Sequence, residues 1–163
     1  MNAKRAVDGD LSTAAHTKCR FDADLWFKMK FDNVYCFFEV VIIQSRWNSL
    51  AHRMDDLNVV VVDTETESES LCGVLKVTED WTLEGQTYRI PCDLQCGDEI
   101  VLTLRHDEDK YTTSACIHIK EIMAFSKGFK EIILHNKNMI IILYNKNMIV
   151  IMRYAYALLH PYV

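Results

Sequence analysis

Phe37-Phe38-Glu39-Val40-Val41-Ile42-Ile43 is strand-length, apolar at six of seven positions and rich in β-branched residues. Such side chains lose rotamer freedom in a helix and pack well on a pleated surface. The pattern recurs outward from there. Leu57 to Val62 (LNVVVV) and Ile100 to Leu104 (IVLTL) repeat it, and Cys116 to Ile122 alternates Ile117 and Ile119 with His118 and Lys120. That alternation places the isoleucines on one face of a half-buried strand. Shorter strands are expected at Leu25 to Met29, Leu75 to Thr78 and Gln86 to Ile90. Turn chemistry separates them at Asp8-Gly9-Asp10, Phe31-Asp32-Asn33, Glu84-Gly85 and Cys96-Gly97-Asp98. No helical periodicity is sustained before residue 124. About seven closely spaced strands read as an all-β fold, an antiparallel β-sandwich or jelly roll.

The chain has 163 residues and a net charge of -5, half its residues apolar and a quarter charged. This is a globular balance of about one domain with a tail. An acidic chain lacks the basic face that phosphate binding needs, so nucleic acid is excluded as a partner. No uninterrupted apolar stretch is long enough for a firm membrane span. Residues 1–131 carry all 23 acids against 15 basic residues, whereas 132–163 hold no acid and only Lys137, Lys146 and Arg153. The tail repeats Asn136-Lys-Asn-Met-Ile140 as Asn145-Lys-Asn-Met-Ile149. Its narrow alphabet is what translated AT-rich DNA yields. The expected division is a domain over 1–125 and a hydrophobic tail over 126–163 outside it. The alternative is a membrane-associating tail, although Lys146 and Arg153 interrupt it.

The six cysteines all precede residue 117. An even count suits three disulfides in a secreted, extracellular protein. Buried free thiols are one alternative; zinc at Cys92, Cys96, His106 and His118 is another, with non-standard spacing. Residues 1–15 have no apolar signal core, so a secretory signal is expected upstream. Asp63 to Ser70 places four acids in eight residues and reads as a solvated loop. It lacks the glycine turn of a calcium-binding loop. No nucleophile elbow, phosphate loop or His-Glu-x-x-His occurs, so no enzyme is expected.

Another cluster is better spaced. Arg46-Trp47-Asn48 and Arg53 follow the Phe37–Ile43 strand, and His16-Thr17 lies upstream. Two guanidinium forks and an imidazole converging at one loop end can hydrogen-bond the hydroxyls and ring oxygen of a sugar. The plainer alternative pairs the arginines with Asp55 or Asp56 on the surface.

Ala6-Val-Asp-Gly9, His16-Thr17, Leu25-Trp26, Val40-Val-Ile-Ile43 leading into Ser45-Arg46, and the late Cys116 together resemble the fucolectin-type (F-type) lectin domain. That domain belongs to the discoidin-like, coagulation factor type C superfamily of jelly rolls. The likeness covers residues 3–125 and lacks the family's first strand. It implies a non-catalytic module binding L-fucose or fucosylated glycans through His16, Arg46, Asn48 and Arg53, with Asn48 standing where the family has Asp. The family's adjacent Cys-Cys pair falls on Ser49 and Leu50, so Trp47 or Leu50 would supply the apolar wall. The alternative is a discoidin-like adhesion module for proteins or cell surfaces, its sugar site drifted. Expected partners are glycans or cell-surface glycoproteins, with a homo-oligomer allowed.

The resemblance also implies a structural Ca2+ on Asp8 and Asp10, with Arg5 standing where the family has Asn and Ile117 where it has Glu. It pairs Cys19 with Cys116, tying the His16 loop to the closing strand. Cys72 with Cys92 would staple a two-strand excursion, leaving Cys36 with Cys96.

Overall fold

The computed structural model describes residues 2–19, 24–45, 52–77, 86–105, 115–126, 139–144 and 147–152, the last two segments by their backbone pairing alone. The described residues form eight strands: β1 (Ala15–His16), β2 (Leu25–Gln44), β3 (Leu57–Asp63), β4 (Ser68–Leu75), β5 (Thr87–Leu104), β6 (His118–Ser126), β7 (Met139–Tyr144) and β8 (Asn147–Met152). Every pairing is antiparallel, in the order β4-β3-β5-β2-β6-β8-β7, with β1 also on β6. Among the described residues helix is confined to 3-10 turns at Ala3–Ala6 and 52–54. The all-β antiparallel expectation holds.

Two strands run longer than the sequence suggested. Leu25 to Met29 and Phe37 to Ile43 are parts of one strand, and Thr87 to Leu104 is continuous through Cys96-Gly97. The turn-forming residues Asp32-Asn33 and Asp93-Leu94 lie at breaks in register, between Lys30 and Tyr35 and between Phe37 and Glu39. A bulge bends and twists a strand without ending its pairing. The N-terminal half of β2 therefore pairs with the C-terminal half of β5, and the C-terminal half of β2 with the N-terminal half of β5. Each long strand contributes to two leaves.

The leaves face one another across a single core. Phe27, Leu57, Val59, Ile100 and Leu102 from one leaf cluster with Val40, Ile42, Ile90, Ile119 and Ile122 from the other. Full burial of each such side chain contributes roughly 1.5–3 kcal/mol. Disulfides join Cys19 to Cys116, Cys36 to Cys96 and Cys72 to Cys92. The last ties β4 of one leaf to the first half of β5 in the other. Cys36 and Cys96 stand directly opposite each other in the β2–β5 register.

The tail forms a hairpin, β7 on β8, joined to β6 by the pairs Ala124–Val150 and Phe125–Ile149. Deleting residues 132–163 is expected to raise solubility, since apolar β-prone runs without gatekeeper charges promote association. The melting temperature should stay within a few degrees. A large fall on truncation would place the hairpin inside the cooperative unit and reject a boundary at 125.

Candidate binding site

Three segments meet at one end of the sandwich. His16 stands opposite His118 in the β1–β6 register. Beyond it, the Thr17 N–H donates to the Ile117 carbonyl at 2.8 Å, and the Ile117 N–H donates to Thr17 Oγ1 at 3.0 Å. The end of β2 arrives from the other side, the Ser45 N–H donating to the His118 carbonyl at 3.4 Å. The chain returns at the 52–54 turn, where Met54 is fully buried and its sulfur accepts from the His118 N–H at 3.3 Å. Arg46, Trp47, Asn48 and Leu50 lie outside the described residues; the chain before and after them is anchored beside His118.

Arg53 is half-buried on this turn. Its Nη1 donates to Cys116 Sγ at 3.8 Å, and its Nε is buried without a hydrogen-bond partner. No carboxylate among the described residues pairs with it. Arg53 does not pair with Asp55 or Asp56: Asp55 accepts from the Val77 N–H at 2.9 Å, and Asp56 pairs with Lys76. A neutral sulfur is a weak acceptor. Among the described residues the guanidinium is thus oriented but not neutralised, and a partly buried cation in that state favours an incoming oxygen acceptor.

His16 is exposed, its Nδ1 2.9 Å from the Thr17 carbonyl. A carbonyl only accepts, so Nδ1 carries the proton and Nε2 of the neutral ring is left as an acceptor. The arrangement offers a forked donor and a nearby acceptor, the complement of a sugar hydroxyl pair. Behind it, the Tyr88 hydroxyl lies 2.9 Å from Gln86 Oε1 and 3.2 Å from Gln44 Oε1. Burial, assisted by the charge of Asp55, pushes the Tyr88 phenol up to about 12, so it stays a neutral donor.

The Asp8–Asp10 loop gathers hard oxygens at a separate place. Thr13 Oγ1 lies 2.9 Å from Asp8 Oδ2, 3.1 Å from the Asp10 carbonyl and 3.3 Å from the Arg5 carbonyl. The Gly9 N–H donates to Glu121 Oε2 at 3.0 Å, bringing a buried carboxylate from β6 against the loop. Ser12 donates from its hydroxyl and N–H to Asp10 Oδ1, which holds that carboxyl below the usual range. Among the described residues no three His, Cys, Asp or Glu side chains are grouped to hold a metal. Carbonyl, hydroxyl and carboxylate oxygens together nonetheless make the mixed donor set that calcium takes. Arg5 enters it through its main chain, which is indifferent to the side chain. The sequence analysis singled out neither Thr13 nor Glu121; the carboxylate that meets this loop stands four residues beyond Ile117.

No family model matches the chain, and no curated protein sequence matches it. Solved structures do. The F-lectin (fucolectin) from striped bass (Morone saxatilis) serum is similar at 16% identity and TM-score 0.58, over 76% of this chain and 41% of that one. The lectin domain of lectinolysin, complexed with Lewis B antigen, matches at 16% identity and TM-score 0.61, over 78% and 85% of the two chains. The F5/8 type C domain of a Bacteroides fragilis protein matches at 14% and 0.58, over 78% and 82%. The fold is therefore the discoidin-like sandwich shared by F-type lectins and F5/8 type C domains.

Proposed function

We propose that this domain is a non-catalytic carbohydrate-binding module for L-fucose or fucosylated glycans, acting outside the cell. The observation that carries it is Arg53: a half-buried guanidinium with no carboxylate partner among the described residues, its Nε buried and unbonded, at the sandwich end where His16 stands. Arg46 and Asn48 would complete the polar grip, and Trp47 or Leu50 the apolar wall. The striped bass protein of the same fold is a fucolectin, and the lectinolysin domain was solved with Lewis B antigen. The three disulfides suit an oxidising compartment.

Ca2+ fits the loop around Thr13, held by Asp8, Glu121 and the Arg5 and Asp10 carbonyls, with Asp10 Oδ1 supporting the turn. When bound, it would supply a structural cross-link between loop and β6. The protein chain itself does the sugar binding.

A glycan array probed with the intact protein, with and without calcium, tests both statements. Selective retention on fucosylated glycans supports the lectin. Uniform absence of glycan binding rejects it in favour of a protein-binding adhesion module. Calcium should raise the melting temperature, and Thr13→Val should remove that rise.

A further inference from the structure

We propose that the Cys19–Cys116 bridge is a redox latch on the sugar site, because reduction leaves Cys116 as a thiolate that captures the Arg53 guanidinium. The effect on sugar rests on the assignment of Arg53 above; the Cys116–Arg53 pair itself does not.

The three bridges differ in what faces their sulfurs. Cys92 Sγ lies 3.9 Å from the Ile90 carbonyl oxygen, and Cys96 Sγ lies 3.5 Å from that of Leu94. A carbonyl oxygen carries partial negative charge and opposes a thiolate. Cys116 Sγ faces Arg53 Nη1 at 3.8 Å, and a cation favours a thiolate. The two ends of this bridge are also unequally placed: Cys19 is exposed, whereas Cys116 is 2% exposed. A small external dithiol therefore reaches Cys19. Its thiolate attacks the Cys19 sulfur, the S–S bond breaks, and Cys116 leaves with the electron pair. The second thiol then resolves the mixed disulfide, so the dithiol is oxidised to its cyclic disulfide and Cys19 is left as a thiol. Exchange is faster when the leaving thiolate is the more stable one. Cys116 departs beside a guanidinium, which makes this the favoured direction.

The consequence follows from charge. In the oxidised bridge the sulfur is neutral and leaves Arg53 available to a ligand. As a thiolate it forms an ion pair with Arg53 and competes with neutral sugar hydroxyls. The loop keeps part of its attachment, because Thr17 remains hydrogen-bonded to Ile117 and His16 paired with His118. The charged and titratable groups on the surrounding elements include Arg53, His52, Asp55 and Asp56 on the turn, His16 and Lys18 on the segment running to Cys19, and His118, Lys120 and the buried Glu121 on β6. Cys19→Ser and Cys116→Ser share all of these groups, so the comparison between the two variants isolates the Cys116 thiol.

The test uses full-length Cys19→Ser, which leaves one thiol, and Cys116→Ser, which leaves none at this position; both lose the bridge. The thiolate ultraviolet absorbance of Cys19→Ser should titrate below the free-thiol value of about 8.5 and move upward in Cys19→Ser/Arg53→Ala. Retention of Cys19→Ser on fucose should fall at least roughly tenfold from about pH 7 to about pH 9, while Cys116→Ser stays flat. A midpoint that ignores Arg53→Ala overturns the pair, whether or not the protein binds sugar. Matching retention profiles for the two variants overturn the latch. If wild type is not retained, the lectin proposal falls while the thiolate titration still decides the pair. If the variants do not fold, brief dithiol treatment of wild type followed by alkylation and mass mapping decides. Cys19 and Cys116 should be labelled first, and earlier opening of Cys36–Cys96 or Cys72–Cys92 rejects the proposal.

Discussion

Arg53→Ala is expected to weaken retention on a fucose matrix roughly ten- to a hundredfold with no change in the far-UV circular dichroism. A charge-assisted hydrogen bond from a guanidinium contributes about 1.5–3 kcal/mol, and about 1.4 kcal/mol is a factor of ten. Arg53 is the described residue best placed to make such bonds, since among the described residues it holds no carboxylate and its Nε has no partner. The methylene stem is partly buried, so alanine also removes some packing. Arg53→Lys separates the two effects. It retains charge and most of the stem but loses the planar fork, and binding should stay well below wild type. Arg105→Ala, exposed beyond the end of β5, serves as the control and should bind normally. A folded Arg53→Ala that is retained like wild type would reject the residue assignment even if the protein is a lectin.

Gly97→Ala should be the most damaging small substitution in the fold, costing about 3 kcal/mol and lowering the melting temperature by on the order of 10 °C. A Cβ at this position would sit 2.6 Å from the Val62 carbonyl carbon and 2.7 Å from Val61 Cγ1. The first contact is with backbone, so no rotamer change relieves it. Relief requires β3 and β5 to separate beside five paired positions, from Asn58–Thr103 to Val62–Glu99. Gly9→Ala provides the contrast. Gly9 has φ +74° but open space around its missing Cβ, so alanine there meets only the left-handed backbone cost of about 1–2 kcal/mol. Thermal denaturation of both variants tests the comparison. A melting temperature for Gly97→Ala equal to that of Gly9→Ala or higher would show that the strands yield easily.

The division between what was legible and what was not follows the range of the interactions. Leu57 to Val62 and Cys116 to Ile122 were readable as strands because β-branching and alternation act between near neighbours, and they fall largely in β3 and β6. His118, expected on the outward face, is buried instead, because β1 and β2 pair with β6 on either side. Asp32-Asn33 and Cys96-Gly97 read as turns because the same residue types serve turns and bulges; only partner strands on both sides kept β2 and β5 continuous. The acidic run was read as loop throughout, yet Ser68 already begins β4. Arg53 could be recognised as a candidate from its spacing to Arg46, but Asp55 and Asp56 stood nearer in sequence as partners. Asp56 turned instead to Lys76, Asp55 to the Val77 N–H, and Arg53 to a sulfur 63 residues away.

The sequence by itself determined that the chain is antiparallel all-β with an acidic body and no acid after Glu131, since composition and period two are local properties. Tertiary structure alone decided that a carboxylate 112 residues from Gly9 closes the Asp8–Asp10 loop, and that Arg53 meets the Cys116 sulfur and, among the described residues, no carboxylate. Both depend on which strands the fold sets side by side. That is a property of pairing across the sandwich, and no window of residues along the chain contains it.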